Sequence, residues 1–328
     1  MQIAVVGGGI IGCAAAWRLA QRGTRVNVYD KSVLGGEASW AGAGMLAPGG
    51  EFAEDSKWGR LGVESLHMYP AMVDELERET GIGIDFRVCG ALELTYTEGD
   101  VHAMEVRIAH QRRMGIPIER VSHPTALAAW YYPEEAVVNP RDVVKAMRRA
   151  GEQLGVRYLE GQAVEDPSQL PADLVILATG AWSPRGFPVK GHLLSFALEP
   201  GSLPAIVRSG HYYVLQRSNG LTIAGSDTEH VGFDRSVRSE AVAEIRAAAE
   251  KLVPELVGRP VAASWIGFRP GSSTGDPIVS RQADSNIWNA YGHYRNGILL
   301  APVTARMLAD EILPSSQMAE FAPRHTRQ

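Results

Sequence analysis

Residues 3–12 read IAVVGGGIIG, and this stretch decides the fold of the 328-residue chain. Its first four residues are apolar and mostly β-branched, as in a buried strand. After the glycines, residues 13–21 are rich in alanine and predict a helix, and Gly23 stands where a helix commonly ends. The apolar segment 25–29 predicts a second strand, which Asp30 closes. The order of elements is therefore strand, tight turn, helix and strand.

The glycines in this stretch have the spacing of a dinucleotide-binding turn. Gly7, Gly9 and Gly12 fill G-x-G-x-x-G, which permits a tight turn, the approach of a pyrophosphate and close packing of helix on strand. The N-terminus of the next helix favours phosphate, and Asp30 comes 18 residues after Gly12, near the spacing of a ribose-binding carboxylate. A glycine motif alone also fits other turns. The strand before it, the helix after it and the acid beyond the second strand together favour a bound dinucleotide.

Composition and charge narrow the class of protein. The chain is 45% hydrophobic and 21% charged, as globular proteins are, and its length suffices for two domains. A net charge of −5 without a dense Lys/Arg block argues against a nucleic-acid partner. The longest apolar runs have strand length, so we expect no membrane-spanning helix, and without a basic leader segment we expect a cytoplasmic protein. Cys13 and Cys89 have neither disulfide-framework nor metal-ligand spacing, so no metal is expected.

The rest of the chain alternates between helical and strand patterns. Small residues crowd the segment 31–50, which predicts a loop packed against a large flat group, with a mobile linker as the alternative. Residues 218–220, SNG, lie between two apolar runs and indicate a hairpin, and the tail from Pro314 is expected to fray. The predicted helices cover residues 56–80, with a break near Pro70 left open, 100–114, 139–154, 240–252 and 297–312. The predicted strands cover residues 91–95, 156–159, 163–164, 173–177, several segments within 190–224, 262–266, 277–279 and 287–291.

Segments suited to a cofactor recur at the beginning, middle and end of the chain. The buried strand over 173–177 ends in ATG at residues 178–180, which permits backbone to approach a cofactor closely. We therefore predict an α/β protein with two interleaved domains. The Rossmann-like cofactor domain is predicted from residues 1–50, 139–186 and 266–328, and an α+β substrate domain on an antiparallel sheet from residues 51–138 and 187–265.

The same segments resemble the D-amino-acid-oxidase superfamily of flavoproteins, and most closely its glycine-oxidase branch of thiamine biosynthesis. The resemblance covers nearly the whole chain, and its specific parts are AGML at 43–46, GFRPG at 267–271 and GHYRNGILLAP at 292–302. It implies FAD bound without a covalent link. The absence of cysteine after Cys89 agrees, because relatives that tether the flavin use a late cysteine.

The resemblance also implies which residues contact FAD. They lie in the glycine turn, in the small-residue segment after Asp30, near the end of the middle strand and in a segment running past the flavin ring. The predicted set is Gly7, Gly9, Ile10, Ile11, Gly12, Asp30, Lys31, Ala38, Ser39, Ala43, Gly44, Met45, Val164, Thr179, Gly180, His293, Tyr294, Arg295, Asn296, Gly297, Ile298 and Leu299.

For the substrate, the resemblance points to Arg269 as the anchor of a carboxylate, since a guanidinium fork matches that group with two parallel hydrogen bonds. It implies Tyr213 on the same carboxylate and Arg295 beside the site, so these three form the predicted catalytic group. Met45 and His211 complete the predicted substrate contacts. From the residues alone, Arg269 also fits a loop-stabilising role. The Asp227 carboxylate is left open between facing a substrate amino group and capping a turn.

The implied chemistry is oxidation of an amine α to a carboxylate. Hydride passes from the α-carbon to flavin N5, the imine hydrolyses to glyoxylate or a keto acid plus ammonia, and reoxidation by dioxygen gives hydrogen peroxide. Glycine, sarcosine and D-alanine are the expected substrates, a thiazole synthase is the expected functional partner, and a homo-oligomer is left open. The alternatives are a D-amino-acid or N-methylglycine oxidase, a dehydrogenase using another acceptor, and a catalytically silent flavin- or NAD-binding scaffold.

Overall fold

Three β-sheets and eight α-helices form the protein in a computed structural model that describes residues 1–314. The helices are α1 Ile10–Gln21, α2 Ala38–Ala41, α3 Pro48–Glu51, α4 Lys57–Thr80, α5 Glu98–Arg113, α6 Pro140–Gln153, α7 Ser239–Leu252 and α8 Gly297–Ile312. The strands are β1 Gln2–Val6, β2 Arg25–Tyr29, β3 Met45–Leu46, β4 Phe86–Val88, β5 Ala91–Thr95, β6 Glu119–Val121, β7 Ala128–Tyr132, β8 Ala136–Val138, β9 Arg157–Leu159, β10 Leu174–Leu177, β11 Gly186–Ala197, β12 Ile206–Ser209, β13 Tyr212–Gln216, β14 Leu221–Gly225, β15 Ala263–Ser272, β16 Ile278–Arg281 and β17 Ile287–Tyr291.

A six-stranded sheet carries the glycine turn. Its strand order is β16-β17-β10-β1-β2-β9, and all neighbours except the edge strand β16 run parallel. β1 takes an interior place because its side chains, such as Ile3 and Val5, are apolar and fully buried. α1 packs against α6 and α8 and shares one hydrophobic core with them. β1 and β10 are parallel neighbours, so their C-terminal ends meet at one edge of the sheet.

An eight-stranded, mainly antiparallel sheet builds the other half of the molecule. Its order is β15-β11-β14-β13-β12-β5-β7-β6, with β12 and β5 running parallel. β13 and β14 form the hairpin that SNG indicated, with Leu215 opposite Ile223. The long pair β11 and β15 places Val189 opposite Arg269, and α7 packs on this sheet. The predicted α/β fold with parallel and antiparallel sheets is confirmed.

A small sheet of order β3-β8-β4 connects the small-residue segment to the chain before α6. Met45 in β3 lies opposite Val137 in β8. The preceding Gly44 has φ of 85°, and a Cβ there would come 1.8 Å from the Val138 carbonyl oxygen. Only glycine fits this position.

The helix α4 runs unbroken through Pro70, where the sequence left a break open. Its N-terminus is capped by Ser56, whose side chain accepts from the Gly59 N–H, and its C-terminus ends at Gly81 with φ of 70°. Packing of α4 against α6 and α8 outweighs the one hydrogen bond that a proline removes.

Two local predictions are corrected by the structure. The segment 31–50 contains two short helices, α2 and α3, and the short strand β3, although it was expected to be a loop throughout. Residues 163–164 form no strand because no neighbouring strand pairs with them, and they line a cavity instead. The predicted frayed tail lies outside the described residues beyond Pro314.

The division into two interleaved domains stays a proposal. The strands of the six-stranded sheet all fall within 1–50, 139–186 and 266–328, but β15 runs through the boundary at 266 and stays in the eight-stranded sheet to Ser272. In the part of the chain that the structure describes, no helix combines the length and apolar character needed to cross a bilayer.

The close contact between α1 and β1 can be tested by substituting Gly12. A Cβ at Gly12 would lie 1.9 Å from the Gly7 carbonyl oxygen, so Gly12→Ala forces the helix away from the turn. We expect a loss of about 1–3 kcal/mol in the free energy of unfolding, as for other overpacked cores. The measurement is urea unfolding beside Gly83→Ala, where a Cβ meets no atom within 4 Å. Equal stability of the two variants would contradict the packing described.

Candidate active site

One cavity of about 340 Å³ lies where the glycine turn, the segment around α2 and the segment before α8 converge. It reaches from the C-terminal ends of β1 and β10 to the side chains of β13 and β15. Most of the predicted FAD and substrate residues line it: Gly7, Gly9, Ile10, Ile11, Asp30, Lys31, Ala38, Ser39, Ala43, Gly44, Met45, Val164, Thr179, Gly180, Tyr213, Arg269, His293, Tyr294, Arg295, Gly297 and Ile298.

The glycine turn leaves backbone open toward this cavity. A Cβ at Gly7 would lie 2.3 Å from the Ala178 carbonyl oxygen, so the end of β1 and the end of β10 touch. Gly9 is the N-cap residue of α1 and has no side chain to cap it, while the Ile10 N–H donates to Ser39 Oγ at 2.9 Å. The positive end of the α1 dipole thus faces the cavity, as phosphate binding requires.

Asp30 fixes the turn and stands at the edge of the cavity. Its Oδ2 accepts from the Gly8 N–H at 2.7 Å, and its Oδ1 accepts from the Ser32 N–H at 2.8 Å. Oδ1 also accepts from the Ser32 hydroxyl at 3.3 Å. Oδ2 accepts one hydrogen bond and, because a carboxylate oxygen can accept two, retains capacity for a ribose hydroxyl. Lys31 Nζ lies 3.5 Å over the ring of Trp182, and burial lowers the pKa of Lys31. The glycine cradle, the helix N-terminus and this carboxylate fit the diphosphate and ribose of FAD.

At the other end, β15 presents Arg269 to the cavity. Its guanidinium donates from Nη1 to the carbonyl oxygens of Asp227 at 3.1 Å and Lys190 at 3.3 Å, and from Nη2 to Ser226 Oγ at 2.5 Å. These acceptors are all neutral. Burial, and secondly the charge of Arg295, lower the pKa of Arg269. Arg269 is therefore a positioned cation whose hydrogen bonds leave its charge uncompensated, which suits the capture of an anion.

Arg295 differs because a carboxylate accompanies it. Its Nε lies 3.2 Å from Glu51 Oε2, and the two side chains are 21% and 9% exposed. The Glu51 charge raises the pKa of Arg295. The preceding residue, Tyr294, has φ of 49°, a left-handed conformation that non-glycine residues rarely adopt. This turn directs the segment between β17 and α8 into the cavity.

Tyr213 completes this end of the cavity. Its side chain is 8% exposed, and burial raises the pKa of its hydroxyl. The hydroxyl is consequently a neutral hydrogen-bond donor at any physiological pH. Tyr213, Arg269 and Arg295 all line this one cavity, so the structure brings the three residues of the predicted catalytic group together.

Four predicted residues do not line the cavity. His211 lies exposed in the turn between β12 and β13, beside Tyr212, so the predicted contact of His211 with substrate is not supported. Its position in a hairpin turn carries it away from the face on which Tyr213 points inward. Gly12 in α1 packs against the Gly7 carbonyl, and Leu299 in α8 packs in the hydrophobic core. Asn296 occupies the N-cap position of α8.

Asp227 takes neither of the roles left open by the sequence. Its Oδ2 lies 2.8 Å from His192 Nδ1, and its Oδ1 accepts from the His192 N–H at 2.6 Å. Its carboxylate therefore binds a buried imidazole, while its carbonyl oxygen supports Arg269. Glu229 lies close enough to join these two side chains around a metal ion, but Glu229 is paired with Arg238.

Sequence reasoning missed several residues of the cavity. Glu51 and Ser226 are partners of Arg295 and Arg269, and Trp182 packs under Lys31. Glu51 ends a four-residue helix without periodicity, and its partner lies at the other end of the chain, so no local pattern marks it. Trp182 lies two residues after the ATG segment at 178–180, so the motif could have pointed to this side chain.

His293 is the buried histidine of the cavity wall. It is 2% exposed, its Nε2 lies 3.1 Å from Thr304 Oγ1, and its ring meets that of Trp58 edge-on. Burial lowers the pKa of His293 to about 3. The imidazole is therefore neutral in the folded protein at physiological pH.

Comparison with known proteins gives a consistent result. A family model described as FAD dependent oxidoreductase matches residues 2–311. The glycine oxidase of Geobacillus kaustophilus is 30% identical over 98% of this chain and 95% of its own length. A crystal structure of glycine oxidase from that organism aligns with a TM-score of 0.89 and 29% identity, over 94% of this chain and 93% of that one. The bifunctional protein ThiO/ThiG of Trichormus variabilis is 32% identical over 95% of this chain, which spans only 52% of that protein. The predicted resemblance and the FAD cofactor are confirmed.

The buried, neutral state of His293 predicts a contribution to acid unfolding. The unfolded chain binds this proton below about pH 6.5, whereas the folded chain binds it only near pH 3. Stability therefore falls as the pH drops through this window, by at most about 1.4 kcal/mol per pH unit from this group. His293→Gln keeps a polar partner for Thr304 but removes the titration, so the pH slope of the urea midpoint should flatten. His211→Gln is the control and should retain the wild-type slope; the same slope in all three proteins would contradict the assignment.

Proposed function

The chain belongs to the FAD dependent oxidoreductase family, and from this premise we propose that it is an amino-acid oxidase whose preferred substrates are glycine and similarly small amines such as sarcosine or D-alanine. The observation that carries the proposal is Arg269, a cation with neutral hydrogen-bond partners, facing the cavity beside the buried Tyr213 hydroxyl. An amino acid supplies the carboxylate that such a pair accepts. The relatives over nearly the full chain support the choice of glycine.

In this mechanism the protein binds and orients the substrate. The Arg269 fork takes the carboxylate, and the neutral Tyr213 hydroxyl donates one more hydrogen bond to it. Two fixed contacts to the carboxylate hold the α-carbon of a small substrate in a defined place. Holding the reacting atom in this way increases the rate of the reaction. The residues that would hold FAD are those of the glycine turn, Asp30 and the segment 293–298. FAD held there would supply the two-electron oxidation of the substrate, with dioxygen as the final electron acceptor and hydrogen peroxide as its product.

The remaining steps need no side-chain base. The substrate ammonium loses its proton to bulk water before oxidation. The imine released from the site hydrolyses in water to glyoxylate or a keto acid plus ammonia, or plus methylamine when the substrate is sarcosine. The cavity wall beside Tyr213 includes the apolar side chains of Met45 and Leu193. Apolar side chains at this place disfavour water near the reacting carbon.

A link to thiazole formation belongs to the same proposal. The ThiO/ThiG relatives combine a region like this chain with a second region in one protein. The thiamine-pathway resemblance then suggests that the product of this enzyme serves a thiazole synthase. A cytoplasmic location and the oligomeric state stay predictions.

An amine screen tests the proposal. The FAD-loaded protein is mixed with glycine, sarcosine, and both enantiomers of alanine and of larger amino acids, and peroxide is measured. Glycine, sarcosine or D-alanine should give the highest kcat/KM. A preference for large D-amino acids would replace the small-substrate proposal with a D-amino-acid oxidase, and turnover only with an artificial acceptor would indicate a dehydrogenase.

Arg269 should make the largest single contribution to substrate binding. Removing one member of a desolvated charge pair costs roughly 2–5 kcal/mol, which is about 30-fold to several thousand-fold in kcat/KM. Arg269→Ala should show this loss in kcat/KM. Arg269→Lys should lose less activity than Arg269→Ala, because lysine keeps the positive charge but cannot form two parallel hydrogen bonds to the carboxylate. Tyr213→Phe should cost about 0.5–3 kcal/mol, the value of one hydrogen bond to a charged group.

Steady-state kinetics of these variants, with FAD content measured for each, checks the assignment. Arg259→Ala is the matched control, since Arg259 is exposed and lies outside the cavity. An Arg269→Ala enzyme within a few-fold of wild type would show that the carboxylate binds elsewhere, with Arg295 as the next candidate.

A further inference from the structure

The substrate end of the cavity contains two guanidinium groups but only one of them has a carboxylate partner. Arg295 Nε lies 3.2 Å from Glu51 Oε2. Arg269 donates only to neutral oxygens, on Lys190, Ser226 and Asp227. All three charged side chains line the cavity. Glu51, Arg269 and Arg295 together therefore carry one net positive charge.

The position of Glu51 is fixed by a buried amide. Gln111 is fully buried and donates from Nε2 to the carbonyl oxygens of Gly49 at 2.6 Å and Phe52 at 3.0 Å, on either side of Glu51. The Tyr132 hydroxyl donates to Gln111 Oε1 at 2.8 Å, which orients the amide. The Gln111 hydrogen bonds hold the backbone on either side of Glu51, and Arg295 holds its carboxylate. The Glu51 side chain therefore has a defined position in the cavity wall.

We propose that Glu51 determines substrate specificity by compensating Arg295, so that the site accepts an amine with one carboxylate and rejects an amine with two. This inference rests on the proposed function and deepens it. Arg269, which has no carboxylate among its hydrogen-bond partners, matches one carboxylate. A second carboxylate would reach Arg295 only by approaching Glu51, and like charges in a desolvated site cost several kcal/mol.

The charge of Glu51 can be removed without removing its shape. Glu51→Gln keeps an acceptor oxygen for Arg295 but leaves the site with two uncompensated cations. Glu51→Asp keeps the charge on a shorter side chain. Glu54→Gln removes one charge three residues further along the chain, where the side chain is exposed, and is the matched control.

Binding is measured first, with ligands that cannot be oxidised as amines. Methoxyacetate and oxydiacetate are ether analogues of sarcosine and iminodiacetate, and they differ by one carboxylate. Isothermal titration of the FAD-loaded protein gives Kd for each. In wild type, Glu51→Asp and Glu54→Gln, methoxyacetate should bind more tightly than oxydiacetate. In Glu51→Gln the ratio of the two affinities should shift toward oxydiacetate by about tenfold or more, since a repulsion becomes an attraction.

Turnover is measured second, with sarcosine and iminodiacetate. The kcat/KM ratio should shift in the same direction in Glu51→Gln alone. Because titration does not depend on turnover, failure of every amine to react would overturn the proposed function while the affinity ratio still decides the role of Glu51.

Two results would overturn the inference. If Glu51→Gln weakens both ether ligands equally, Glu51 only supports the structure. If Glu51→Gln loses affinity for 2-aminoisobutyrate, an amino acid with no α-hydrogen to lose, but not for isobutyrate, measured by the same titration, Glu51 accepts the substrate amino group and does not select by carboxylate number.

Discussion

The structure depends on the contact between the end of β1 and the end of β10. A Cβ at Gly7 would lie 2.3 Å from the Ala178 carbonyl oxygen, and one at Gly12 would lie 1.9 Å from the Gly7 carbonyl oxygen. This steric limit brings two strand ends and a helix N-terminus to one point, leaving exposed backbone where FAD requires it. Asp30 closes the arrangement by accepting the Gly8 N–H. The cavity begins at this point because no side chain can occupy it.

Two strand pairs of the second sheet and the turn between β17 and α8 bring the proposed substrate groups to the same cavity. The pairing of β11 with β15 fixes the position of Arg269, and the hairpin of β13 and β14 fixes the position of Tyr213. The turn before α8 fixes the position of Arg295. Beneath them, Arg208 pairs with Glu93 at 2.5 Å and with Glu135 in a nearly fully buried cluster. Such a cluster holds its geometry because losing one partner would leave a buried charge unpaired. Of the residues proposed to bind substrate, Arg269 and Tyr213 therefore project from paired strands.

The sequence predicted those parts of the site whose positions are determined by residues nearby in the chain. Gly7, Gly9 and Asp30 belong to one strand, turn, helix and strand unit, so their spacing together with the flanking elements reveals them. Arg269 and Tyr213 were found only through the family resemblance, because nothing near them in sequence distinguishes them from other arginines and tyrosines. Their arrangement in one cavity agrees with that resemblance.

The parts that sequence missed join distant segments. Glu51 meets Arg295 from the far end of the chain. Asp227 binds His192 across two strands, and neither contact leaves a periodic signal. The helices α2 and α3 are four residues long, too short for a 3.6-residue pattern, which is why 31–50 was expected to be a loop.

We propose that this cavity holds FAD and that the protein oxidises a small amino acid bound beside it. The most direct measurement is the visible spectrum of the FAD-loaded protein after anaerobic mixing with glycine, sarcosine or D-alanine. We expect the flavin band to bleach with at least one of them and to return when air is admitted. A band that stays unchanged with all three, although the protein is fully loaded with FAD, would contradict the claim.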